Sequence, residues 1–77
     1  MNNNKVAIVL GTSSGLGLAS ASSLLERGFL VFGGSRSESP ISHDNFVDLE
    51  LDITQENQIK NFINEVKAET EVVDVLV

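Results

Sequence analysis

The chain has 77 residues, 42% hydrophobic and 21% charged, with 5 Lys and Arg against 11 Asp and Glu and a net charge of -6. That is enough for one domain with a marginal core, and the balance excludes global disorder and nonspecific binding to nucleic acid or an anionic membrane. Zero cysteines exclude a disulfide framework and thiolate metal ligands, and no metal site is expected. The polar start, Met1-Asn2-Asn3-Asn4-Lys5, leads into an apolar run too short for a signal peptide or membrane span, so a cytoplasmic location is expected.

Val6-Ala7-Ile8-Val9-Leu10 is unbroken and apolar, the pattern of a central parallel strand covered on both faces. It runs into Gly11-Thr12-Ser13-Ser14-Gly15-Leu16-Gly17, where each glycine has its own task. Gly11 permits a sharp turn, Gly15 lets a phosphate approach the backbone, and Gly17 lets the following helix lie close to the sheet. The first turn of that helix offers free N–H groups and a partial positive charge, a site for pyrophosphate. Leu18, Ala21, Leu24 and Leu25 form its apolar stripe, Arg27 suits its C-terminal end, and Gly28 is placed for a left-handed cap.

Phe29-Leu30-Val31-Phe32 reads as a second buried strand, parallel to the first. From Gly33 to Asn45 the composition is that of a loop, and Pro40 leaves no room for a full crossover helix. Phe46 to Asp52 alternates, with Val47, Leu49 and Leu51 on one face and acids on the other, as in an edge strand. Thr54 is placed to cap a helix starting at Gln55, with Ile59, Phe62, Ile63 and Val66 as its buried stripe. Val72 to Val77 reads as a fourth strand. The order three-two-one-four leaves this apolar strand as an uncovered edge, from which a truncated domain is expected.

Leu18-Ala19 after Gly17 excludes the nucleotide-triphosphate loop, which needs Lys and a Ser or Thr there. The Gly11-x-x-x-Gly15-x-Gly17 spacing resembles the T-G-x-x-x-G-x-G motif of the short-chain dehydrogenase/reductase family, with Leu10 in place of its Thr. Leu51-Asp52-Ile53-Thr54 is similar to that family's adenine-pocket segment, and Val73-Asp74-Val75-Leu76-Val77 to the strand that leads into its N-N-A-G motif. The resemblance covers nearly the whole chain. It implies an α/β, Rossmann-like three-layer parallel sheet, of which residues 1–77 are the N-terminal half of one incomplete NAD(P)-binding domain.

By the same resemblance, Gly11, Thr12, Ser13, Ser14, Gly15, Leu16 and Gly17 surround the cofactor's phosphates and adenosine ribose, Asp52 accepts from the adenine amino group, and Ile53 packs on the ring. An acid after the second strand would select NAD(H) and repel a ribose phosphate; this chain has Ser35 and Arg36 instead, so NADP(H) is preferred, with NAD(H) possible. The implied parent is a homo-oligomeric oxidoreductase acting on a small-molecule carbonyl or alcohol. The family's catalytic Asn, Ser and Tyr-x-x-x-Lys lie beyond Val77, so no catalytic residue is expected here. The alternatives are a noncatalytic nucleotide-binding or interaction module and an unstable gene-fragment remnant. Asp74 is read as a structural strand-end residue and His43, in a polar loop, as a surface histidine.

Overall fold

The computed structural model describes residues 4–77. The elements are β1 (Val6–Leu10), α1 (Gly15–Glu26), β2 (Leu30–Ser35), β3 (Phe46–Glu50), α2 (Glu56–Glu69) and β4 (Val75–Leu76). All strand pairs are parallel, in the order β3-β2-β1-β4 that the pattern implies.

Alternation along the strands sorts the core into two layers. Ala7, Val9 and Val31 face α1, where they pack with Ala21, Leu24 and Leu25. Val6 and Phe32 face α2 and pack with Leu51, Phe62 and Val66. Both helices are thus held by packing. α1 closes in a Schellman arrangement: Gly28, at φ 89°, donates its N–H to the Leu25 carbonyl, and Phe29 donates to that of Leu24. Arg27 is the C-cap residue itself, one step past the last turn.

Strand β2 is longer than its apolar run and extends through Gly33, Gly34 and Ser35 instead of ending at Phe32. These glycines are in the strand because neighbouring side chains cross over it. A Cβ on Gly33 would lie 2.7 Å from the Phe46 ring, and one on Gly34 would lie 2.8 Å from Leu51 and from Phe62. Strand β3 stops at Glu50, two residues short of the alternating segment, although the Leu51 N–H still donates to the Ser35 carbonyl at 2.8 Å.

The connection from β2 to β3 carries no helix. Ile41 packs on the α1-side layer, and Asp48, on the polar face of β3, accepts the Ser39 N–H at 2.9 Å. Asp48 therefore faces a loop.

Two helix expectations are corrected. Thr54 does not cap α2: its hydroxyl and its N–H both donate to Asp52 Oδ1, at 2.7 and 3.0 Å, and Gln55 is the N-cap, with no side-chain cap bond. A charged acceptor two residues back competes better for the hydroxyl than a helix amide does. Ile63 is 44% exposed, outside the buried stripe. At about 100° of rotation per residue it lies roughly 100° around the helix from Phe62, at the margin of the face that Phe62 and Val66 bury.

β4 is also shorter than Val72 to Val77, with only Val75 and Leu76 in register with Ala7 and Ile8. Thr70 turns the chain before it, accepting the Val72 N–H and donating to the Val72 carbonyl, so Val72 does not join the sheet. Asp74 then secures the start: its Oδ2 accepts the Val6 N–H at 2.8 Å while its own N–H donates to the Val6 carbonyl at 2.8 Å. Val73, Leu76 and Val77 are exposed along this edge.

Candidate functional site

In an open parallel α/β sheet, the place for a ligand is outside the carboxyl ends of the strands. Here a cleft of about 410 Å³ lies there, lined by Leu10, Gly11 and Ser13 at and after the end of β1, by Gly34 to Ser37 at and after the end of β2, and by Leu51 to Thr54 after β3. That volume is within the range of small-molecule sites.

The turn after β1 is built as the glycine spacing requires. Gly11 has φ 75° and Gly15 φ 63°, and a Cβ at either position would meet nothing within 4 Å. Space over the turn is therefore open. At Gly17 the reverse holds: a Cβ would lie 2.1 Å from the Gly11 carbonyl oxygen and 2.7 Å from that of Leu10. Gly17 is where the helix touches the turn, so α1 starts directly against the segment whose Gly11 and Ser13 line the cleft. The Gly11 N–H donates to the Gly34 carbonyl at 2.7 Å, continuing the β1–β2 ladder into the turn.

Ser14 is the extended N-cap residue of α1, makes no side-chain cap bond, and is followed by no acid in the first turn. The positive end of the dipole is thus uncompensated by the helix's own side chains. Ser13 is partly exposed, and Leu16 is 82% exposed. Thr12 differs from its neighbours. It is fully buried, its Oγ1 has no hydrogen-bond partner among the described residues, and a Cβ on Gly33 would lie 2.8 Å from that oxygen. Its side chain is directed under the turn.

At the end of β2, Ser35 is 7% exposed and its hydroxyl donates to the Ser37 carbonyl, while Arg36 is exposed on the rim of the cleft. Across from them, the Asp52 segment is held from both sides. The Gln55 N–H donates to its carbonyl at 2.9 Å, and its own N–H donates to Gln58 Oε1, in the first turn of α2, at 2.7 Å. The hydroxyl and N–H bonds from Thr54 hold the Asp52 carboxyl below the usual carboxylate range, and the charge of Arg36 adds to this. Ile53 is 71% exposed beside it, an apolar surface without a cover among the described residues.

The structure thus brings Gly11 and Ser13 of the turn together with Ser35, Arg36, Asp52 and Ile53 in one cleft, while Thr12, Ser14, Gly15, Leu16 and Gly17 do not line it. Residue spacing alone did not single out Ser39, which is 7% exposed and donates its hydroxyl to the Thr12 carbonyl at 2.8 Å. Its sequence context is a run of loop formers, so only the fold reveals the contact. His43 accepts the Asn45 N–H at Nδ1 in the turn before β3 and is not part of the cleft lining. Among the described residues no group of His, Asp or Glu is placed to hold a metal ion, and no helix is long and apolar enough to cross a membrane.

A parallel sheet in this order, with a glycine turn feeding a helix at the centre of its carboxyl edge, defines a Rossmann-like nucleotide-binding architecture. The chain belongs to the short chain dehydrogenase family, whose pattern it matches over residues 5–77. It is similar in structure to the ligand-free aldohexose dehydrogenase of Thermoplasma acidophilum, at 30% identity and a TM-score of 0.83, over 95% of this chain and 28% of that one. A short-chain dehydrogenase from Streptomyces avermitilis matches at 30% identity and a TM-score of 0.82, over 99% of this chain and 30% of that one. The fold also matches a short chain dehydrogenase from Leptospira borgpetersenii with bound NAD+, at 20% identity and a TM-score of 0.83, over 95% of this chain and 30% of that one. The chain spans less than a third of the length of each of these three structures. No curated protein matches it in sequence.

Proposed function

We propose that this chain is the dinucleotide-binding, N-terminal part of an NADP(H)-dependent, cytoplasmic short-chain oxidoreductase acting on a carbonyl/alcohol pair. The observation that carries the reading is the open turn over Gly11 and Gly15, against which α1 is pressed at Gly17 and of which Gly11 and Ser13 line the cleft. Such a turn suits a pyrophosphate, which the amides of Ser13 to Gly17 would hold with charge-assisted hydrogen bonds. Thr12 would contribute through its backbone, its side chain being buried. Asp52 and Ile53 would take the adenine, the first by accepting from the amino group and the second by covering the ring.

The bound nicotinamide cofactor would supply hydride transfer, and the part of the chain described here would supply its orientation. The catalytic groups of such an enzyme fall outside residues 1–77 in this reading, which makes these residues a single incomplete domain that binds without turnover. The short share of each solved relative that the chain spans supports this.

Arg36 on the cleft rim favours NADP(H). A guanidinium there can receive a ribose phosphate, and position 35 holds Ser where an acid would repel it. Because the Ser35 hydroxyl is engaged with Ser37, Arg36 would carry the preference. Calorimetric titration with NADPH and NADH tests this: NADPH should bind more tightly, and Arg36→Ala should reduce its affinity about tenfold, the value of one charge-assisted contact, with little effect on NADH. Tighter binding of NADH, or indifference to Arg36→Ala, would contradict the NADP(H) assignment.

A further inference from the structure

Three separate segments meet at Ser39. Its hydroxyl donates to the Thr12 carbonyl in the glycine turn at 2.8 Å, and its N–H donates to Asp48 Oδ2 on β3 at 2.9 Å. Its Oγ also accepts the Ile41 N–H at 3.3 Å, so the loop folds around this one hydroxyl. The side chain is buried, at 7% exposure, and among the described residues it shares that with only two other polar side chains, Thr12 and Ser35. Arg36 lies three residues before it on the same connection, which carries no helix to fix its course.

We infer that Ser39 is a positioning residue that sets the spacing between the glycine turn after β1 and the Arg36 segment after β2, and so favours ligands carrying anionic groups at both places. The inference rests on the dinucleotide reading above and adds a residue outside the cleft lining. A connection without a helix has little internal rigidity, since its backbone is not held by a regular hydrogen-bond ladder. Arg36 is anchored on its near side by Ser35, which pairs with Glu50 and whose carbonyl accepts the Leu51 N–H at 2.8 Å; what remains open is the course of the segment beyond it. The Ser39 bonds fix that segment on one side to the turn that would receive pyrophosphate and on the other to the edge strand β3. An anion held by only one of the two segments gains nothing from that registration, whereas a ligand that bridges them does, because the second contact is then made without further ordering.

Ser39 thereby differs from Arg36 in what its removal does. Losing Arg36 removes one contact, while losing the Ser39 hydroxyl leaves both contacts and disturbs their relation.

The test compares a bridging ligand with its fragments, on the full-length protein carrying this sequence. NADPH spans both places; inorganic pyrophosphate reports on the glycine turn and 2′-AMP on the Arg36 segment. In Ser39→Ala, NADPH affinity should fall about fivefold to tenfold, as expected for one net hydrogen bond, while pyrophosphate and 2′-AMP change less than about twofold. Ser39→Thr, which keeps the hydroxyl, should restore much of the loss, and amide exchange should quicken at Thr12 to Ser14 and Arg36 to Glu38 in Ser39→Ala but not in Ser39→Thr. Ser39→Cys, close to serine in volume with a weak donor, gives a second folded variant with the same expected pattern. Equal losses for NADPH and both fragments, or unchanged NADPH binding in Ser39→Ala and Ser39→Cys, would overturn the inference. If the unsubstituted protein bound neither NADPH nor NADH, the dinucleotide reading itself would fall, an outcome distinct from the variant result.

Discussion

Gly17 lies so close to Gly11 that a Cβ on Gly17 would stand 2.1 Å from the Gly11 carbonyl oxygen. The obstacle is backbone, and it forms the inner wall of the turn, so it cannot rotate aside. Gly17→Ala should gain up to about 1 kcal/mol of helix propensity and lose more to the clash, since overpacking costs about 1–3 kcal/mol even where side chains can give way. Urea unfolding should therefore show net destabilisation of at least about 1 kcal/mol, with the helix displaced and dinucleotide affinity reduced. An unchanged midpoint would show that α1 does not rest on the turn.

Thr12 is expected to behave in the opposite way. Its buried hydroxyl has no partner among the described residues, and an unmatched buried polar group costs about 1–3 kcal/mol. Thr12→Val, with the same shape and no hydroxyl, should stabilise the fold by about 1 kcal/mol in thermal or urea unfolding. Dinucleotide binding should survive, because the side chain is directed under the turn. A loss of stability would mean that the hydroxyl is satisfied in solution.

Asp52 ties the site to pH. The two bonds from Thr54 and the Arg36 charge hold its folded-state pKa below the unfolded value, so its carboxylate contributes stability that is fully present above the unfolded pKa of about 3.9 and is lost as pH falls through the folded pKa. Stability of the β3–α2 junction should therefore be flat near neutrality and decline in acid. Thr54→Val removes the hydroxyl bond, the largest cause of the lowering, and should move the Asp52 titration upward when followed by carboxyl carbon resonances. An unshifted titration would show that the carboxyl is held by something other than Thr54.

The strand order and the glycine turn were legible in sequence because continuous apolar runs mark central parallel strands and because positions 11, 15 and 17 need glycine for different steric reasons. The end of β2 was not. Gly33 and Gly34 have the composition of a loop and become strand only because Phe46, Leu51 and Phe62 fill the space their side chains would take, a fact about distant residues. The cap of α2 was misread for a local reason: Asp52 is a stronger acceptor for Thr54 than the helix N–H groups are. Asp52 and Ile53 enter the candidate site through the family resemblance, and Ser35 and Arg36 through their place after the second strand; all four line the cleft. Ser39 could not be found in this way, since its partner Thr12 is 27 residues away and no residue pattern links them.

The central claim is that the turn from Gly11 to Gly17 is a cradle for a dinucleotide. Titration of the isotopically labelled protein with NADPH, followed through backbone amide resonances, tests it most directly. The amides of Ser13, Ser14, Gly15, Leu16 and Gly17 should shift in a saturable way, together with those of Arg36 and Ile53 on the opposite walls of the cleft. Saturable shifts confined to other parts of the chain, or none with either NADPH or NADH, would contradict it.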